Sequence, residues 1–209
     1  MEVIVYNSKG EDTGKKVTLP EDVFGIQPNQ HAIYLDVKQY LANQRQGTHK
    51  AKERAENAHS TRKLKKQKGT GGARAGSAKS PIRIGGGRIF GPRPRDYSFK
   101  LNKKVKSLAR KSALAVKAQA SKISVIDNIT LEAPRTKDYI QFLNDMNLMG
   151  RKTLLILPEV NMNIVLSSRN LQKTKVTTAW QVNTYDLMNA DQVLISEEAL
   201  SNLQTIFDK

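Results

Sequence analysis

The sequence predicts an α/β protein with a Rossmann-like, mostly parallel sheet flanked by helices, and with a long extended basic loop that lacks its own core. Three observations lead there. Short apolar runs alternate with helix-length amphipathic stretches, the pattern of strand–helix–strand units. A glycine-rich basic stretch interrupts them: apart from alanines, residues 43–98 hold only Leu64, Ile82, Ile84, Ile89, Phe90 and Tyr97 as hydrophobic side chains, and nine of the 13 glycines. Charge is also partitioned. Residues 43–122 carry 23 Lys and Arg against 3 acids, a net of +20, while the other 129 residues carry 12 against 16, a net of −4; together they make the formal +16.

Val3–Tyr6 is the first apolar run, and after the turn-rich Asn7–Gly10 a second strand is expected at Lys16–Leu19. Asn29–Gln44 reads as a helix with Ile33, Val37, Tyr40 and Leu41 on one face. Beyond the basic stretch, Leu101–Lys117 places Leu101, Val105, Leu108, Ala109, Ser112 and Val116 on one side and lines up Lys103, Lys106, Arg110 and Lys117 on the other. Strands follow at Ile123–Ile126, Leu154–Leu157, Val176–Val182 and Val193–Ile195. Helices are expected at Thr136–Asn147, with Ile140, Leu143 and Met146 inward, at Ile164–Asn170, and at Glu197–Phe207 with Ser196 as its cap. The expected organisation is one globular domain, 1–42 with 99–209, into which the loop 43–98 is inserted. With so few groups to bury, that loop cannot offset its ordering entropy alone and is expected to order on a partner.

Several function classes are excluded or disfavoured. The absence of cysteine removes disulfides, thiolate zinc sites and thiol nucleophiles. No apolar run approaches a membrane span, and Glu2 stands where a signal peptide would be basic, so a soluble intracellular protein is expected. Gly71 and Gly76 have the spacing of a phosphate-binding loop, but Ser77 occupies the lysine position and no strand precedes it. The glycines of 69–76 and Gly85–Gly87 read instead as places where backbone passes through tight space. His31, His49 and His59 have no second ligand at metal spacing, and no catalytic set emerges. No cofactor and no metal are expected.

A polyanion is the expected partner, and folded RNA suits an irregular, glycine-rich basic extension best: cations neutralise phosphate, and glycine allows close approach. The candidate contacts are Arg45, Gln46, His49, Lys50, Arg54, Lys63, Lys65, Lys66, Lys68, Arg74, Lys79, Arg83, Arg88, Arg93 and Arg95, with Lys103, Lys104, Lys106 and Arg110 on the following helix. Phe90, Tyr97 and Phe99 offer stacking surfaces for unpaired bases, or pin the returning limb to the globular domain.

Three stretches carry a resemblance: QRQGTHKAKERAEN at 44–57, QKGTGGARAGSAKSP at 67–81 and GGGRIFGPRPRDYSFKLNKKVKSLARKSAL at 85–114. They are similar to the bacterial large-subunit ribosomal protein L four family. The resemblance implies a structural, non-enzymatic constituent of the cytoplasmic ribosome that binds large-subunit rRNA early in assembly. It also implies a loop tip, here Gln67, Lys68, Gly69, Thr70, Gly71, Gly72 and Arg74, that lines the nascent-peptide exit tunnel opposite ribosomal protein L twenty-two. The nascent peptide would then be a neighbour, and no membrane or small-molecule substrate is implied. Repression of the protein's own mRNA is the alternative within binding proteins, and a nucleotide-dependent α/β enzyme the alternative outside them. The chain departs from the family pattern in three places: Leu64-Lys65-Lys66 replaces Pro-Trp-Arg, Gly72 replaces a common arginine, and Ile82-Arg83-Ile84 stands where a tryptophan is often found.

Overall fold

Glu2–Tyr6 (β1) and Asp12–Thr18 (β2) open the computed structural model, which describes residues 1–207, as an antiparallel hairpin. Its turn is built by Asn7, whose Oδ1 accepts from the amides of Lys9 at 2.8 Å and Glu11 at 3.0 Å. Four further strands are Ile123–Ile126 (β3), Thr153–Leu157 (β4), Thr174–Thr178 (β5) and Gln192–Ser196 (β6). They join β1 in one sheet of order β2-β1-β3-β6-β4-β5, in which every pairing but β1–β2 is parallel. The α/β class read from the sequence is the class observed.

The helices are Glu21–Phe24 (α1), Gln30–Asn43 (α2), Lys103–Gln119 (α3), Thr136–Asp145 (α4), Met162–Ser168 (α5), Thr184–Asn189 (α6) and Glu197–Phe207 (α7). Two cores explain why the middles of the central strands, Leu154–Leu157 and Val193–Ile195, are continuous apolar runs. Side chains alternate across a sheet, so Leu154, Ile156, Val193 and Ile195 pack with α1, α3 and α7 on one face. Leu155, Leu157 and Leu194 pack with α4 and α5 on the other. A parallel sheet covered on both faces needs such continuous runs, and Val193, Leu194 and Ile195 in β6 are each 0% exposed.

Several expectations about individual elements are corrected. The strand expected over 176–182 ends at Thr178, where a 3₁₀ turn, Ala179–Gln181, takes over. In α4 the inward face is Tyr139, Phe142 and Leu143, while Ile140 and Met146 are only half-buried; the two bulky aromatics claim the interior. In α2 Leu41 is exposed. Ser196 closes β6 rather than capping α7, and its buried hydroxyl has no hydrogen-bond partner among the described residues. Glu197 and Glu198 instead complement the positive end of α7.

The chain divides into two units: Met1–Leu41 with Lys100–Lys209, which holds the sheet and both cores, and Ala42–Phe99.

Candidate nucleic-acid interface

The unit Ala42–Phe99 is an arm of two antiparallel limbs with almost no regular structure. Single hydrogen bonds cross-link the limbs: Arg95 N to Gly47 O at 3.1 Å, Ala51 N to Pro92 O at 3.0 Å and Arg88 N to Lys52 O at 2.9 Å. Farther out, Asn57 Nδ2 donates to Gly85 O at 2.6 Å, Ser77 Oγ to Ser60 O at 3.0 Å and Leu64 N to Gly76 O at 3.1 Å. An isolated antiparallel bridge between Lys63 and Ser77 closes the distal loop. Composition alone leads one to expect no internal order; most of these cross-links join backbone groups, which composition does not report, with Asn57 and Ser77 adding side-chain donors. The expectation of no core holds, since Ala75 is the arm's only buried hydrophobic residue.

Charge is concentrated here, 15 Lys and Arg against 3 acids between 42 and 99, a net of +12. The acids are engaged within the arm. Glu53 receives Arg93 Nε at 2.6 Å, Glu56 pairs with Lys50, and Asp96 accepts from the amide and hydroxyl of Ser98 at 2.8 and 2.7 Å. The Lys50 hydrogen bond, helped by the Glu53 amide, holds the Glu56 carboxyl below its usual range. Such exposed pairs add little stability; their effect is that the carboxylate charges are offset within the arm, which lessens their repulsion of a polyanion.

The structure brings the expected residues together in three groups. At the root, Arg45 and Arg95 lie over the Tyr97 ring, 3.8 and 4.5 Å from its centroid, and the Tyr97 hydroxyl meets His49 Nε2 at 3.3 Å. Tyr97 therefore organises two guanidinium groups. Midway, Arg54, Arg88 and Arg93 line a cleft with Ile89 and Phe90. At the tip, Gln67, Lys68, Gly69, Thr70, Gly71, Gly72 and Arg74 are all exposed, as are Lys65 and Lys66, and Lys63 Nζ reaches back to Gln67 Oε1. Gln46 and Arg83 are exposed without joining these groups; Lys79 is half-buried, its carbonyl accepting from Gly87 N.

The glycine reading divides. A Cβ on Gly87 would stand 2.5 Å from Arg54 Cα, so tight passage is real there. Gly69 and Gly71 instead face open space and are needed for φ of +78° and +62°. The tip glycines shape a turn; they do not pass through a constriction in the chain itself.

The unit that holds the sheet presents its own basic site. Lys103, Lys104, Lys106 and Arg110 line a cleft of about 720 Å³ between α3 and the end of α7, together with Lys111, Leu108, Ile206 and Phe207. Lys111 was missed because it lies about 100° from Arg110 around the helix; its seven-residue spacing from Lys104 was the available signal. Its Nζ sits 5.7 Å from the Phe207 ring centroid. α3 starts with two lysines and has no acid in its first turn, which is unfavourable at the positive end of a helix until an anion arrives.

Lys117, expected in that cationic row, is buried. Its Nζ donates to Ala190 O at 2.7 Å and Met188 O at 3.5 Å, capping the C-terminal end of α6. Residues 112–118 are buried nearly all round, and in the first half Leu108, expected on the packing side, is exposed and lines the basic cleft, so the two-faced pattern is only partly realised. Burial pushes the Lys117 ammonium below the ordinary lysine value.

Among the described residues, no three His, Cys, Asp or Glu gather where they could hold a metal, and no helix is long and apolar enough to cross a membrane. The profile of the ribosomal protein L4/L1 family matches residues 17–206. The chain belongs to that family. It is 62% identical over 208 residues to the large ribosomal subunit protein uL4 of Cytophaga hutchinsonii, covering 100% of both chains. It is 61% identical over 208 residues to the protein of the same name from Amoebophilus asiaticus, covering 100% of this chain and 99% of that one. With the uL4 of Flavobacterium psychrophilum the identity is 57% over 209 residues, the whole of both. Membership in the L4/L1 family makes the chain a structural component of the large ribosomal subunit in the cytoplasm, not an enzyme.

Proposed function

We propose that this chain binds large-subunit rRNA early in assembly through its arm and the basic cleft of α3, and that the tip Gln67–Arg74 lines the nascent-peptide exit tunnel beside ribosomal protein L twenty-two. In this reading residues 43–98 are an rRNA-penetrating insertion in the globular domain 1–42 and 99–209. The observation that carries it is the arm itself: a net of +12 on a coreless, cross-linked pair of limbs whose acids are already engaged. The arm's three acids can offset only three of its 15 cations, and phosphate is the abundant partner for the rest.

The test replaces residues 47–96 by a short Gly-Ser linker and titrates both proteins against large-subunit rRNA at several salt concentrations. If about ten arm cations meet phosphate, the full chain shows a log–log salt slope near −7 to −9, and the shortened chain loses most of it. An unchanged affinity and slope would remove the arm from the interface.

A further inference from the structure

The cleft midway along the arm is more than a row of cations. It has a volume of about 660 Å³ and is lined by Ala51, Pro81, Ile89 and Phe90 as apolar wall and by Arg54, Arg88 and Arg93 as rim. Its one acid, Glu53, is held by Arg93, which leaves Arg54 and Arg88 as the cations facing outward. Gly87 sets those two side by side: it is buried against the Arg54 backbone so closely that any side chain would collide.

Phe90 is the anomaly. Its ring is fully exposed, at 102% of the reference area, and its backbone is left-handed, φ +56°. A bulky non-glycine residue in that region is strained, and an exposed phenyl ring gains nothing from folding. Strain of this kind persists where a site uses the geometry. Here it presents an aromatic face beside two free guanidinium groups.

Resting on the rRNA-binding reading, we infer that this cleft is a receptor for a single extrahelical nucleotide of the RNA, its base stacked on Phe90 against Ile89 and its phosphate held by Arg54 and Arg88. The charge rules between occupants. An unstacked nucleotide offers one apolar face and one anion, which matches an exposed aromatic ring beside two outward arginines on an arm of net +12.

Three proteins test it against full-length large-subunit rRNA. Phe90→Ala should weaken binding about 5- to 150-fold with the salt slope unchanged, because no phosphate contact is lost. Arg88→Gln should lower the slope by about 1. Phe90→Trp in a Trp180→Phe background should keep its affinity, and its indole fluorescence should be quenched when RNA binds. Phe90 is wholly exposed, so the melting temperature should stay constant across the set. If Phe90→Ala binds rRNA like the parent and the indole is not quenched, the receptor is overturned while rRNA binding by the arm stands. The receptor is overturned equally if Phe90→Ala impairs only uptake into subunits already carrying other ribosomal proteins, since the ring then meets a protein. If the parent chain itself fails to bind rRNA, the broader reading fails first.

Discussion

Two lysines on one helix show how differently the same side chain is used. Lys104 is exposed in the α3 cleft, and Lys117 is buried with its ammonium on the last carbonyls of α6. Lys104→Ala should therefore leave the melting temperature unchanged and reduce the salt slope for rRNA by about 1. Lys117→Met should do the reverse. The Ala190 carbonyl loses a charged partner, usually worth about 1.5–3 kcal/mol, while relief of the lysine's desolvation returns part of it. A net loss of about 1 kcal/mol, or about 2–4 °C in Tm, is expected, with the slope intact. The sign of the pH dependence checks the assignment. Burial lowers the Lys117 value below the ordinary 10.5, so the unfolded chain binds the proton more tightly. Parent stability should then gain from this group as pH rises toward 10.5, and Lys117→Met should lose that gain. The sequence could not separate these two lysines, because helical periodicity assigns a face but not whether α6 packs over it.

The arm is an element whose order is local, and its root depends on one backbone position. Gly47 has φ +66°, and a Cβ there would run into the Arg95 carbonyl and stand 3.0 Å from the Tyr97 ring. Gly47→Ala should cost the root on the order of 1–3 kcal/mol, seen as about tenfold or greater loss of amide exchange protection at Arg95 and Ala51 while the sheet amides hold. Acid should loosen the same limbs. The Glu56 carboxyl is lowered mainly by Lys50, and that of Asp96 by the Ser98 amide. Groups depressed in this way stabilise above their unfolded values, 4.5 and 3.8, and the contribution disappears as pH falls through the lower folded values. An NMR titration should therefore show the carboxyl carbons of Glu56 and Asp96 titrating only below about pH 4.5. Composition and motifs made the arm's charge and lack of a core legible. Its cross-links were not, since Gly47, Ala51 and Lys52 contribute backbone atoms that any residue has. The regular elements were legible where two-residue or 3.6-residue patterns were strong, as in β3 and α7, and displaced where packing decides, as at the end of β5.

Stability and binding occupy different stretches of the whole chain, and this separation is itself testable. Both cores lie outside 42–99, and the middles of the central strands β4 and β6 are apolar. The arm contributes one buried alanine and 12 of the 16 net charges. Its limbs begin side by side, with Arg95 N donating to Gly47 O at 3.1 Å, so a few residues suffice to bridge 46 to 97. Shortening a roughly 50-residue connection to about six residues lowers the closure entropy of the unfolded chain by about 2 kcal/mol on the logarithmic loop law, and removing +11 of like charge eases self-repulsion. Against this stand only the exposed ion pairs and single cross-links of the arm, which are worth little to the sheet domain. The chain with 47–96 replaced should hence fold on its own, melt in one cooperative transition at or a few degrees above the parent, and refold at least as fast. Its affinity for large-subunit rRNA should fall steeply all the same. Calorimetry and an rRNA titration on one preparation decide the matter: a shortened protein that fails to melt cooperatively would mean that the arm is part of what holds the sheet together.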